Sequence, residues 1–199
     1  IMAKESKDNA TIIESMGTVV RECTDGKIDI LVNPMFDVQY AFLQIRGKSI
    51  GEEIDYFLLC GKCGHKSMTT TNVNEFVLQK QLGHTNVIKL DDSTTVTMRY
   101  PTFAHFVKLY SDTDDENDVY EVVADCITTL VTDEEVTHVK PEDKKGISEF
   151  VDNLLPSQFE KLENFFTTIP VLQYTKEYAC EACQEMNRIR VDGINNFFE

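Results

Sequence analysis

The sequence lacks features that three classes of protein require. No apolar run is long enough to cross a bilayer. Only 19 basic side chains stand against 34 acidic ones, and the formal charge of −15 argues against binding to phosphate backbones. The phosphate-binding glycine loop, the nucleophile elbow and the metalloprotease helix motif are absent from the sequence. These absences favour a protein that works by binding other proteins, with no catalytic residues, no nucleic acid and no membrane span.

Cysteine is the residue type that carries most information. The chain has six cysteines, and its first ten residues lack the apolar stretch of a signal peptide. We therefore expect a reducing compartment, in which paired cysteines more often bind metal or act in catalysis than form structural disulfides. Four of the six form two Cys-x-x-Cys pairs, CGKC at 60–63 and CEAC at 180–183.

The order of predicted elements indicates an α+β fold. Apolar spacing and start signals predict helices over 11–24, 34–46, 118–130, 142–154 and 157–169. A run rich in β-branched residues predicts a strand over 67–73, and strand-like runs predict others over 54–59, 87–90, 94–100, 171–179 and 188–191. We interpret the chain as one domain over 1–199, divided into a helical part (1–53), a cysteine pair with β structure (54–104), an acidic loop (111–118) with helices (105–170), and the second pair with the C-terminal strand (171–199).

Each cysteine pair, here called a knuckle, is able to hold one side of a metal ion. A predicted strand precedes and follows each pair, which is the hairpin context of a zinc ribbon. Gly64 follows the first pair and tolerates the positive φ of a tight turn, whereas Gln184 occupies the equivalent place in the second. The long insertion between the knuckles costs little, because loop-closure entropy rises only logarithmically with length. The sequence thus predicts helical segments around a zinc-ribbon-like element with one structural zinc ion on Cys60, Cys63, Cys180 and Cys183.

Alternative interpretations of the pairs remain open. CGKC resembles a thioredoxin-type dithiol, which would make the chain a thiol–disulfide oxidoreductase, but that chemistry needs a cysteine at a helix N-terminus. A disulfide pairing is a further alternative. A zinc-ribbon nucleic-acid-binding protein would need a basic stripe beside the knuckles, and the candidates for it are Lys62, His65, Lys66, Arg188 and Arg190. His65 could also serve as a metal ligand, although an exposed loop histidine is the simpler interpretation.

The remaining candidates lie in predicted helices. Cys23 and Cys126 belong to apolar stripes, which predicts two buried thiols. Phe159, Leu162 and Phe166 recur on one face of the helix over 157–169. This face either packs in the core, which the periodicity favours, or contacts a partner protein.

Six segments of the chain, taken in order, resemble a known family. They are VVRECTDG, LCGKCGH, IKLDDSTTVTMRYPTF, the helix around Cys126, the apolar helix over 157–169, and YACEACQEMNRIRVDGINNFF. Their order is similar to that of the baseplate hub assembly proteins of T-even-type contractile-tailed bacteriophages, which include a hub subunit and a hub assembly chaperone. Members of the family usually have a further β-rich segment before the position of Ile1, so we expect this chain to be truncated at its N-terminus.

The resemblance implies a function in assembly. It implies binding to phage baseplate hub or tape-measure proteins in a hetero-oligomer, in the host cell cytoplasm during phage assembly or in the virion tail baseplate. It also implies that Cys60, Cys63, Cys180 and Cys183 are the paired knuckle cysteines.

Overall fold

The structure, a computed structural model, describes residues 9–110 and 117–193. The helices are α1 (Asn9–Cys23), α2 (Met35–Ser49), α3 (Phe103–Tyr110), α4 (Asn117–Cys126), α5 (Lys144–Asp152) and α6 (Pro156–Thr167). The strands are β1 (Glu53–Leu59), β2 (Lys66–Asn72), β3 (Val77–Gln79), β4 (Val87–Lys89), β5 (Thr95–Met98), β6 (Ile127–Val131), β7 (Val136–His138), β8 (Val171–Ala179) and β9 (Met186–Asp192). The predicted α+β class is confirmed. The predicted acidic loop falls largely on 111–116, and the final apolar piece INNFFE on 194–199, both outside the described residues.

These strands form three antiparallel sheets. The first is the hairpin β1–β2, whose last pair before the cysteines is Leu59 with Lys66. The second hairpin, β8–β9, ends in the same way with Ala179 opposite Met186, and β3 adds to its β8 edge. The third sheet has the order β4-β5-β6-β7. Each knuckle therefore occupies the turn of a hairpin, as the flanking β-rich segments predicted.

The helices α1, α2 and α3 share a first core with the two hairpins. In β1 the side chains of Ile54 and Leu58 are buried and those of Phe57 and Leu59 are exposed, as the two-residue period of a strand requires. This alternation turns one face of the first hairpin inward. The buried residues of the core are Met16, Val20, Met35, Val38, Leu43, Ile54, Val73, Phe76, Phe103, Leu172 and Tyr174.

The second core lies between α4, α5, α6 and the four-stranded sheet. Leu162 is 0% exposed and Phe165 2%, while Phe159 and Phe166 are half-buried and pack against the same core. The favoured interpretation of the α6 stripe, packing in the core, is confirmed. The other buried members are Ile88, Leu90, Val96, Met98, Val122, Val123, Ala124, Cys126, Ile127, Ile147 and Val151. Whether the two cores make one domain, as the sequence suggested, stays a prediction.

Two predicted helix ends were wrong. The helix α2 continues past Gly47 to Ser49. A Cβ on Gly47 would lie 3.0 Å from Cγ2 of Val73, so this glycine allows the helix to approach Val73 closely. The predicted helix over 118–130 ends earlier, at the last residue of α4. The next five residues form β6 and pair with β5, with Leu130 opposite Val96. The β-branched residues after α4 thus form a strand that pairs with β5 and do not continue the helix.

The two unpaired cysteines have different environments. Cys126 is fully buried in the second core, as predicted. The prediction for Cys23 was wrong, because this residue is exposed. Cys23 is the last residue of α1, and the chain then turns through Asp25 and Gly26, both at positive φ. Cys23 therefore lies beyond the buried part of the helix, to which Val20 belongs.

Candidate metal centre

The two knuckles bring four cysteine sulfurs together. Sγ of Cys60 lies 3.7 Å from Sγ of Cys183, and Sγ of Cys63 lies 3.7 Å from Sγ of Cys180. All four sulfur atoms lie within 4.8 Å of one another. All of the cysteines are free thiols, and 3.7 Å is far longer than the S–S bond of about 2.0 Å. The described cysteines therefore form no disulfide, and the four predicted ligands share one site.

Backbone hydrogen bonds give the two knuckles the same shape. In the first knuckle the amide of Cys60 donates to the carbonyl of His65 and the amide of Gly64 donates to the carbonyl of Cys60, both at 2.9 Å. The second knuckle repeats both bonds at 2.9 Å. Gly64 has a φ of 70° and Gln184, in the equivalent place, has 59°. Gln184 thus adopts a left-handed conformation that residues with a Cβ disfavour, and the knuckle keeps its geometry.

The sulfur spacing fits a tetrahedral ion. For a Zn–S bond of about 2.3 Å, the edge of a regular S₄ tetrahedron is about 3.8 Å, close to the two 3.7 Å separations. Cys60 and Cys180 are 2% and 0% exposed, whereas Cys63 is exposed and Cys183 intermediate. Four thiols at this spacing are compatible with a closed metal site, and such a donor set suits zinc.

The electrostatics of the cluster favour one thiolate and disfavour four. Amides of Cys63 and Lys62 donate to the Cys60 sulfur, and together with the side chain of Asn187 they lower the pKa of Cys60 to about 6. The amide of Glu185 lowers the pKa of Cys183, but burial and the neighbouring sulfurs outweigh it and raise that pKa to about 12. Four negative sulfurs at these distances repel one another, so full ionisation requires a bound cation.

Polar contacts join the two hairpins around the cluster. Nζ of Lys62 lies 2.7 Å from a carboxylate oxygen of Glu185, although both side chains are exposed. Farther from the cysteines, the Tyr178 hydroxyl donates to the carbonyl of Leu59 at 3.0 Å. Sequence patterns did not indicate a role for Asn187, whose side-chain amide contacts the first knuckle from β9. Its neighbour in space lies more than a hundred positions away, and no local spacing signals the contact.

The alternatives are not supported by the geometry. Cys60 follows β1 and precedes β2, so no helix N-terminus lowers its pKa in the manner of a thioredoxin. The side chain of His65 lies outside the sulfur cluster, 4.0 Å from Glu181. The candidate basic stripe is partly neutralised: Lys62 pairs with Glu185, Arg188 with Glu177 and Arg190 with Asp192, while Lys66 lies over the ring of Phe57.

Fold and site together define an α+β protein whose two hairpins converge on a four-cysteine cluster. A family model described as T4 bacteriophage base plate protein matches residues 1–199. The chain belongs to this family of phage baseplate proteins. The resemblance seen in the sequence is thereby confirmed at the level of T4-type baseplate proteins, without a distinction between hub subunit and chaperone. No curated protein and no solved structure matches the chain.

Family membership supports a baseplate-associated role, with other baseplate proteins as partners and the virion tail baseplate as location. Within the described residues, no helix combines the length and the apolar character that a membrane span needs.

Proposed function

We propose that the protein is an assembly factor of the phage tail baseplate hub, either a chaperone or a hub component, that acts by binding hub or tape-measure proteins. Its action requires no catalysis and takes place in the host cell cytoplasm during assembly. The match to a baseplate family over residues 1–199 supports this function. The charge of −15 favours basic or polar protein partners.

The proposal includes one structural zinc ion on Cys60, Cys63, Cys180 and Cys183. The observation that carries it is the convergence of four sulfurs from two distant hairpins, all within 4.8 Å of one another and two pairs at 3.7 Å. Cys60 and Cys183 are 123 positions apart, so an ion bound here crosslinks the middle of the chain to its C-terminal hairpin. A site closed by four thiolates has no open position, so the ion would stabilise the fold and take no part in chemistry.

Both hairpins contribute to the first core, which also contains α1, α2 and α3. An ion at the hairpin turns would therefore fix the relative positions of elements that build most of the first core. We expect partner binding to depend on the metal indirectly, through the shape of the surfaces that this core supports.

Co-expression with the hub genes of the same phage, followed by native mass spectrometry, tests the proposal. We expect one zinc ion per chain and a complex with a hub or tape-measure protein. Cys180→Ser should reduce both, whereas Cys23→Ser, a matched change at an exposed cysteine outside the cluster, should change neither. Absence of any complex would contradict the assembly function, and insulin reduction by the purified chain would favour the oxidoreductase alternative instead.

A further inference from the structure

We propose that Asn187 is a positioning residue of the metal centre, which holds the first knuckle from the second hairpin and donates a hydrogen bond to the sulfur of Cys60. This inference rests on the metal centre of the proposed function. It assigns a role outside the four ligands to a residue that lies 127 positions from Cys60.

Three hydrogen bonds place the Asn187 side chain. Its Oδ1 accepts from the amide of Gly61 at 3.1 Å, and its Nδ2 donates to the carbonyl of Glu185 at 2.8 Å and to Sγ of Cys60 at 3.6 Å. A backbone amide can only donate and a carbonyl can only accept, so these two partners fix which end of the side-chain amide is oxygen. The fixed orientation directs an N–H group at the Cys60 sulfur.

The register of the second hairpin explains why Asn187 is able to reach the first knuckle. Asn187 pairs with Tyr178, one position from the end of the β8–β9 ladder, so its side chain projects beside the knuckle turns. It is half-buried, and its amide lies between Gly61 of one knuckle and Glu185 of the other. The Asn187 side chain therefore connects the two knuckles through hydrogen bonds that do not involve a metal ion.

The hydrogen bond to sulfur has a specific chemical effect. A donor reduces the charge density of a thiolate, which lessens its repulsion by the other three sulfurs. Cys60 is 2% exposed, so water competes little for the same sulfur. Loss of a hydrogen-bond partner beyond the ligands typically weakens metal affinity about 10- to 100-fold.

Two substitutions separate donation to sulfur from simple support of the knuckle. Asn187→Ala removes all three hydrogen bonds. Asn187→Asp keeps an acceptor for the amide of Gly61 but loses both donors and places a carboxylate beside the thiolates. Arg188→Ala is the matched control, because Arg188 is the next residue of β9, its side chain is 70% exposed, and its ion pair with Glu177 is long at 3.9 Å.

The measurement is a Co²⁺ titration of the full chain with a competing chelator, with the sulfur-to-cobalt charge-transfer band recorded for each variant. We expect Asn187→Ala to bind Co²⁺ about tenfold more weakly than wild type and Asn187→Asp at least as weakly as Asn187→Ala, with Arg188→Ala unchanged. The charge-transfer band should move to lower energy in Asn187→Ala, because a thiolate that has lost this hydrogen bond is more easily oxidised.

Three results would overturn the inference. Wild-type affinity and an unshifted band in Asn187→Ala would show that the contact to Cys60 has no effect on the metal. Affinity restored to the wild-type level in Asn187→Asp would reduce Asn187 to a support for Gly61. A wild-type chain that binds no Co²⁺ would overturn both this inference and the metal centre, whereas a metal-loaded chain without hub partners would contradict only the assembly function.

Discussion

Truncation of Leu162 to alanine measures how much the apolar stripe of α6 stabilises the second core. Leu162 is 0% exposed and belongs to the same buried cluster as Phe165 and Val96. Leu→Ala changes at such positions cost about 2–5 kcal/mol, from lost burial and from the cavity left behind. At about 2–4 °C per kcal/mol for a chain of this length, a loss near 3 kcal/mol lowers Tm by roughly 6–12 °C.

The assay is thermal and urea unfolding followed by far-UV circular dichroism, with zinc in excess so that binding of the proposed ion would contribute equally to each sample. Glu163→Ala is the matched control: Glu163 is the next residue of α6 and exposed, so its truncation should change stability by no more than about 0.5 kcal/mol. If Leu162→Ala kept wild-type stability but lost a hub partner, the packing argument would be refuted and the stripe would be a binding surface.

Three further predictions concern single sites. Hydrogen bonds from the side chain and amide of Ser93 lower the pKa of Asp91 to about 2, so its contribution to stability is present above about pH 4 and is lost as the pH falls towards 2. Urea unfolding at pH 4 and pH 2.5 should show a smaller decrease for Asp91→Asn than for wild type, and equal decreases would contradict this. Burial raises the pKa of Cys126 to about 12, so in the zinc-loaded chain maleimide should label Cys23 and leave Cys126 unlabelled until denaturation, as peptide mass mapping would show. Gln184→Gly should stabilise the chain by about 1 kcal/mol in urea unfolding, because it relieves a left-handed conformation; a destabilised variant would be inconsistent with that strain.

Sequence patterns were sufficient to predict the four-cysteine cluster because its signals are local. Two intervening residues within each cysteine pair, β-rich flanks and Gly64 after the first pair together predicted two knuckles in hairpin turns. The four sulfur atoms lie within 4.8 Å of one another, in agreement with that interpretation. The strands of both hairpins were predicted within about one residue at most ends, since the strand-like runs and the tight turns between them agree with each other.

Features that depend on distant partners were not predictable in the same way. The end of α4 and start of β6 depend on pairing with β5, which helical periodicity alone does not encode. The exposure of Cys23 depends on where the chain turns after α1. The contact of Asn187 with Cys60 exists only once the two hairpins pack together, so no spacing within either segment indicates it.

X-ray absorption at the zinc edge of the purified chain is the sharpest test of the proposed metal centre, because it reports the number, type and distance of the ligand atoms. We expect one zinc ion with four sulfur neighbours at about 2.3 Å and no nitrogen or oxygen ligand. A nitrogen ligand, fewer than four sulfurs, or a chain that retains no zinc would contradict it.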